Sequence, residues 1–314
     1  MLEVPVYLIT GFLESGKTTF IKEVLDSPDF ADGRKTLLIQ CEEGEVEYDE
    51  VAYSRHNIEI ISVENEEDLT PSFLDRCHKF YKPFRVFVEF NGMWDAKKFA
   101  EEKLPSRWEL VQVITLVDGS TYEVYLNNMR SILQNIFSLT ELVIMNRCSE
   151  DMDLFKFRRS IKGVNPQVLI SFEDDRGNQI ELGKEQPPYD LNADVIEIDD
   201  VDWGLWFLDV GDNPERYEGK TVKFTGKVMR PRQFGDDTFI PGRNAMTCCA
   251  NDIRFIGYIC RSRHTEKLHQ KQWLEVTAEI RYENAKEYGG EGPVLYAKHL
   301  KSVDPPQDEL VYFN

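Results

Sequence analysis

One segment constrains the fold of this chain more than any other. Gly11-Phe12-Leu13-Glu14-Ser15-Gly16-Lys17-Thr18 satisfies G-x-x-x-x-G-K-[ST] without a mismatch. It follows an apolar run at 4–10. It precedes a stretch in which Phe20, Ile21, Val24 and Leu25 fall on one helical face. A glycine-rich turn from a buried strand into a helix aims backbone amides and the positive end of the helix dipole at one point, which suits a phosphate. Lys17 is then placed to reach terminal phosphates, and the Thr18 hydroxyl to ligate magnesium. Glu14, Ser15 and Thr19 complete the loop.

The same alternation continues to about residue 172. Apolar runs at 36–41, 85–90, 111–118, 142–146 and 167–171 read as strands buried on both faces of a parallel sheet. Between them a helix is predicted to start at Thr70-Pro71, a cap followed by proline at the first helical position, with Phe73, Leu74, Cys77 and Phe80 as its apolar face. The expected fold is α/β, a P-loop doubly wound, mostly parallel sheet over residues 1–175. An acidic, Pro-Pro-containing linker follows at 176–194. Beyond it, a helix around 205–217 and strand-like runs at 221–229, 253–261, 273–282 and 293–303 predict a small all-β, OB-like barrel over 195–314.

Composition excludes several functions. The chain carries 37 Lys and Arg against 56 Asp and Glu, a net charge of −19, with −14 before residue 192 and −5 after it. Such a chain repels a phosphate backbone, which argues against nucleic acid as a partner. No apolar run reaches the roughly 18 residues of a membrane span. The N-terminal segment lacks a basic region and a small-residue cleavage site. Six cysteines are too few for a disulfide scaffold and read as cytoplasmic thiols or metal ligands.

Downstream of the loop, Val86-Phe-Val-Glu89 ends a buried strand on an acid, where magnesium's water shell needs one. Gly92 follows, with an amide able to sense a terminal phosphate. The segment GFLESGKTT resembles the GFLxxGKTT loop of the CobW-like metallochaperone GTPases, relatives of the HypB and UreG nickel-insertion GTPases. The stretch from Cys41 to Asp49 is similar to the family's NExGExxxD, with Glu42, Gly44, Glu45 and Asp49 matching and Cys41 in place of Asn. Glu89 and Gly92 match its ExxG, and Leu116-Val117-Asp118-Gly119 is similar to its VVDA strand end. Asn146 and, more loosely, Arg147 match its base-reading NKxD. Over residues 1–175 the resemblance implies GTP, with ATP as the other candidate, and Mg2+ at Thr18 and Glu89. It implies catalytic roles for Lys17, Glu42, Asp49 and Glu89, and nucleotide contacts from Gly11, Glu14, Ser15, Gly16, Lys17, Thr18, Thr19, Gly92, Asn146 and Arg147.

This chain departs from that pattern twice. Residues 57–64 contain no cysteine where the family carries its metal-binding CxCC, although thiolates are what select zinc or copper(I). Cys41, Cys77 and His78 lie in the same half, as packing or solvated residues or as a substitute site. Ser149 stands where the Asp of NKxD belongs, with Glu150 one residue late, so guanine preference should be weaker.

In the second half, Cys248 and Cys249 are adjacent, so a strand would point them to opposite faces. With Cys260, and with Asp252, His264 and His269 nearby, they read as packing cysteines or as a transition-metal set, zinc first. This half is similar to the C-terminal domain of an uncharacterised bacterial family associated with predicted permeases (YcgQ-like). Arg230, Arg232, Arg243, Arg254, Arg261, Arg263, Lys267 and Lys271 interleave with Phe234, Phe239, Phe255, Tyr258 and Trp273. That pattern reads as a solvated face around a core or as a single-strand platform. The reading that best joins these features is a slow magnesium-dependent nucleotide hydrolase. The alternatives are a nucleotide-dependent switch that docks a protein client through its barrel, and a metal-delivery protein.

Overall fold

The computed structural model describes residues 3–247, 252–263 and 265–313. The chain divides into two compact units, Met1–Leu154 with Gln167–Leu182, and Phe155–Pro166 with Gly183–Asn314.

The first unit is built on β1 (Val4–Thr10), β2 (Thr36–Gln40), β3 (Ile58–Ser62), β4 (Arg85–Glu89), β5 (Trp108–Asp118), β6 (Leu142–Asn146), β7 (Leu169–Glu173) and β8 (Gln179–Ile180). Its sheet runs in the order β3-β2-β4-β1-β5-β6-β7-β8. Every pairing is parallel except β7 with β8. The helices are α1 (Lys17–Asp26), α2 (Glu50–Arg55), α3 (Pro71–Tyr81), α4 (Ala96–Lys98), α5 (Gly119–Asn128) and α6 (Arg130–Leu139).

The continuous apolar runs are explained by cover on both faces. Val86 and Val88 pack with Leu74 and Phe99, whereas Phe87 turns the other way, to Ile21 and Leu25. Two strands start differently from expectation: β5 begins at Trp108, ahead of its apolar run, and β7 is shifted to Leu169–Glu173. In α3 the Thr70 hydroxyl accepts from Phe73 N at 3.2 Å, as the cap predicts. Phe80, however, is 80% exposed. Tyr81 takes its place against the core, one residue further round the helix.

The second unit contains α7 (Leu154–Val164), β9 (Ile196–Glu197), α8 (Trp203–Asp212), α9 (Pro214–Tyr217), β10 (Thr221–Met229), β11 (Thr238–Ala245), β12 (Arg254–Gly257), β13 (Ile259–Arg261), β14 (Trp273–Ala285), β15 (Gly290–Ser302) and β16 (Leu310–Val311). Strands β10, β11, β13, β15 and β14 close on themselves, since β10 pairs with both β11 and β14. Within the ring only β13 and β15 are parallel. This is the five-stranded, OB-like barrel expected.

Trp203 and Trp206 of α8 are fully buried, Trp206 lying 4.7 Å from Phe224 between ring centroids. They form part of the barrel core, as do Val222, Val276, Ile280 and Leu295. The single strand expected over 253–261 is broken at Tyr258, whose hydroxyl donates to Phe207 O at 2.5 Å. Among the described residues no helix is long and apolar enough to cross a membrane.

Candidate functional site

The parallel register brings the candidate residues to one edge of the first sheet. Ile9 lies opposite Glu89, Gln40 opposite Glu89, and Asp118 opposite Asn146, all at carboxyl ends of strands. That is the edge where open α/β sheets bind ligands. The loop after β1 turns at Gly11 (φ 139°) and enters α1 at Gly16 (φ 99°), both in conformations that suit glycine. Gly92 packs beneath it: a Cβ there would lie 2.4 Å from Gly11 O.

Lys17 is 4% exposed. Its ammonium donates to Gly11 O at 2.9 Å, to Phe12 O at 2.8 Å and to Glu42 Oε2 at 2.5 Å. Beside it, Thr18 Oγ1 donates to Glu89 Oε1 at 2.5 Å. The Tyr48 hydroxyl donates to Glu89 Oε2 at 2.8 Å. Burial raises the Glu89 pKa from its ordinary value, and the bonds from Thr18 and Tyr48 act against that rise. Burial and the neighbouring Glu89 charge push the Tyr48 phenol well above its ordinary value. A hydroxyl beside a buried carboxylate is a hard oxygen set, and it fits magnesium.

These groups open on a cleft of about 210 Å³ whose lining includes Glu14, Gly16, Lys17, Thr18, Thr19 and Glu42. Gly44, Glu45, Glu89, Asp118 and Arg147 also face it. Asp49 is not among the lining residues. Its carboxylate caps α2 by accepting from Ala52 N at 3.0 Å.

On the far side, Asn146 Nδ2 donates to Ser15 O at 2.8 Å. Asn146 Oδ1 and the buried Ser15 hydroxyl have no partner among the described residues. Arg147, at φ 52°, donates to Glu14 O at 3.0 Å and to Asp118 Oδ2 at 2.7 Å. Ser149 donates its hydroxyl to Asp151 at 2.5 Å, and that bond holds the Asp151 carboxyl below its ordinary value. Sequence reasoning missed both Asp151 and Tyr48. Asp151 lies two residues beyond the expected acid, and Tyr48 meets a carboxylate 41 residues away.

Among the described residues the thiols do not gather into a metal site. Cys41 and Cys77 are buried in the core, and burial raises both thiol pKa values. His78 is half-buried, its Nδ1 accepting from Trp108 Nε1 at 3.1 Å, so it is not simply solvated. Cys260 is fully buried in the barrel core, where burial raises its thiol pKa. Cys248, Cys249 and His264 lie outside the described residues. Among the described residues no group of three His, Cys, Asp or Glu is placed to hold a metal ion. Of the basic and aromatic set in the barrel, Arg243, Phe239, Tyr258 and Trp273 are buried rather than displayed.

A profile of the CobW/HypB/UreG nucleotide-binding domain matches residues 5–171, and one of the DUF1980 C-terminal domain matches residues 175–313. The latter match carries no permease-associated (YcgQ-like) name. The zinc chaperone YjiA of Escherichia coli (strain K12) is 26% identical over 225 residues, which span 66% of this chain and 62% of that protein's length. Among solved structures, Zn(II)-bound YjiA GTPase from E. coli aligns with a TM-score of 0.41 at 25% identity, over 54% of this chain and 57% of that one. The hydrogenase maturation factor HypB from Archaeoglobus fulgidus aligns with a TM-score of 0.40 at 16% identity, over 56% of this chain and 84% of that one.

Proposed function

Since the chain belongs to the CobW/HypB/UreG family through its nucleotide-binding domain, we propose that it is a cytoplasmic, magnesium-dependent P-loop hydrolase of GTP, with ATP a weaker substrate. The observation that carries this reading is the meeting of Lys17, Thr18, Glu42 and Glu89 in one cleft behind the glycine loop. Loop amides and Lys17 would bind the phosphates. Thr18 and Glu89 would hold magnesium, which supplies positive charge to the phosphoryl oxygens as they become more negative. Glu42, released from Lys17 by the phosphates, is placed to orient water. Gly92 holds the loop to β4, and Asn146 and Arg147 would line the base. Asp49 acts through α2 as a positioning residue.

Slow turnover follows from the cations available. Lys17 and Arg147 line the cleft, and Arg147 is tied to Asp118 and Glu14. Without a further arginine the transition-state charge is only partly met. The test is binding of a fluorescent GTP analogue with and without magnesium, followed by phosphate release. Magnesium-dependent binding with slow release is expected, and no binding of either GTP or ATP would refute it.

A second reading is favoured by the Lys17–Glu42 pair, which nucleotide phosphates would have to break. In it the chain is a nucleotide-dependent switch that docks a protein client, or a metalloprotein, through its barrel. Zinc, the ion in the relative's name, would then be sought at Cys248, Cys249 and Cys260. Elemental analysis of the full chain decides whether any is retained.

A further inference from the structure

Tyr48 fills an unspecified position of the 41–49 motif, yet it touches the buried acid at the centre of the site. Glu89 is 1% exposed, and both its oxygens accept hydrogen bonds. Oε1 accepts from Thr18 and Oε2 from Tyr48. Four residues before Asp49 caps α2, Glu45 still lines the cleft, and Glu42 grips Lys17. The segment 41–49 is therefore held by Glu42 on Lys17, by the Glu47 carbonyl on Lys22 and by Tyr48 on Glu89, with Gly44, Glu45 and Val46 lining the cleft. The Tyr48 ring also meets Tyr53 of α2 edge-on, 6.0 Å between centroids.

A magnesium ion beside Thr18 would keep several of its waters, and such waters donate hydrogen bonds to nearby carboxylates. A phenol hydroxyl and a metal-bound water offer Glu89 Oε2 the same thing. We propose that the Tyr48 hydroxyl stands in for a magnesium-bound water on Glu89, so that magnesium nucleotide and the clasped 41–49 segment compete for one carboxylate oxygen. This rests on the nucleotide reading and adds the residue through which the metal would move the segment. By linkage, whatever displaces Tyr48 must loosen the segment, and whatever removes its hydroxyl must strengthen the metal.

The test is Tyr48→Phe, which keeps the ring and its packing. Affinity for a fluorescent GDP analogue is measured in magnesium and in EDTA. In EDTA the variant should match wild type within about twofold, while the gain from magnesium should rise about threefold to tenfold, the worth of one displaced hydrogen bond. A general loss of structure would lower both affinities together. Amide exchange over 41–49 supplies a second readout. It should be faster in nucleotide-free Tyr48→Phe than in wild type. In wild type it should change more with magnesium nucleotide than with nucleotide in EDTA, which frees only the Glu42 end of the segment. A magnesium gain at or below the wild-type value, or unchanged exchange in the variant, overturns the proposal alone. Wild type that binds nucleotide in neither condition overturns the nucleotide reading and takes this inference with it.

Discussion

The cleft and the barrel both bury charge, but to different ends. In the first, Lys17 and Glu89 face a cleft, and their partners are groups a ligand can replace: two carbonyls, a neighbouring acid and two hydroxyls. In the barrel, Arg243 is fully buried yet ties Thr225 O to the Asp200 carboxylate. Arg261 grips both oxygens of Glu287 at 2.7 and 2.9 Å. Asp209 accepts from Asn213, Arg216 and Tyr217. A buried charge therefore marks a site only where its bonds converge on open volume; elsewhere it holds strands in place.

The comparison is most directly broken at Lys17. Lys17→Ala should lower nucleotide affinity by at least about a hundredfold with the fold intact, since several charge-assisted bonds are lost. Equal thermal shifts with GTP for wild type and variant would remove the distinction between the units.

Comparable in size is Trp206→Ala in α8, which should cost the barrel about 3–5 kcal/mol through lost burial and a cavity. Denaturant midpoints measure it, and a loss below about 1 kcal/mol would mean that the barrel does not depend on this core.

Base choice comes third. Ser149 offers a hydroxyl where an acid would accept two bonds, so GTP should be preferred over ATP by about tenfold to a hundredfold. Competition titration showing more than about ten-thousandfold would assign the acceptor role to a carboxylate such as Asp151.

The smallest effect is at Glu287, where Arg261 holds the carboxyl below its ordinary value. A depressed folded pKa contributes stability above the unfolded value of about 4.3, and that stability is lost as pH falls through the folded value. Glu287→Gln should therefore cost about 1 kcal/mol at pH 7 and nothing once the wild-type carboxyl is protonated. Urea midpoints at both pH values check the sign.

How far the sequence led can be seen in particular elements. The phosphate loop was legible because glycine, lysine and threonine occur there in an order that one mechanism requires. The central strands were legible because cover on both faces makes them apolar throughout. Strand β3 was missed because it borders only β2 at the sheet edge, which lets Glu59 sit in an otherwise apolar run. Strand β11 was missed because Pro241 and Gly242 interrupt it. Gly242 is required there, since a Cβ would lie 2.1 Å from Ile256 O. Asp49 is a catalytic candidate from its motif position, and what the motif does not tell is that its carboxylate also caps α2. Tyr48 left no signal, because a contact across 41 residues has no period to read.

The seating of Gly92 on Gly11 acts as a gauge block. Backbone rests on backbone there, so the spacing between the acid that ends β4 and the loop that carries Lys17 and Thr18 is set without any side chain between them. Repacking the hydrophobic layers on either face of the sheet would then weaken the protein well before it detuned the cleft. Durability and calibration are separable properties of this domain, to be altered by different substitutions.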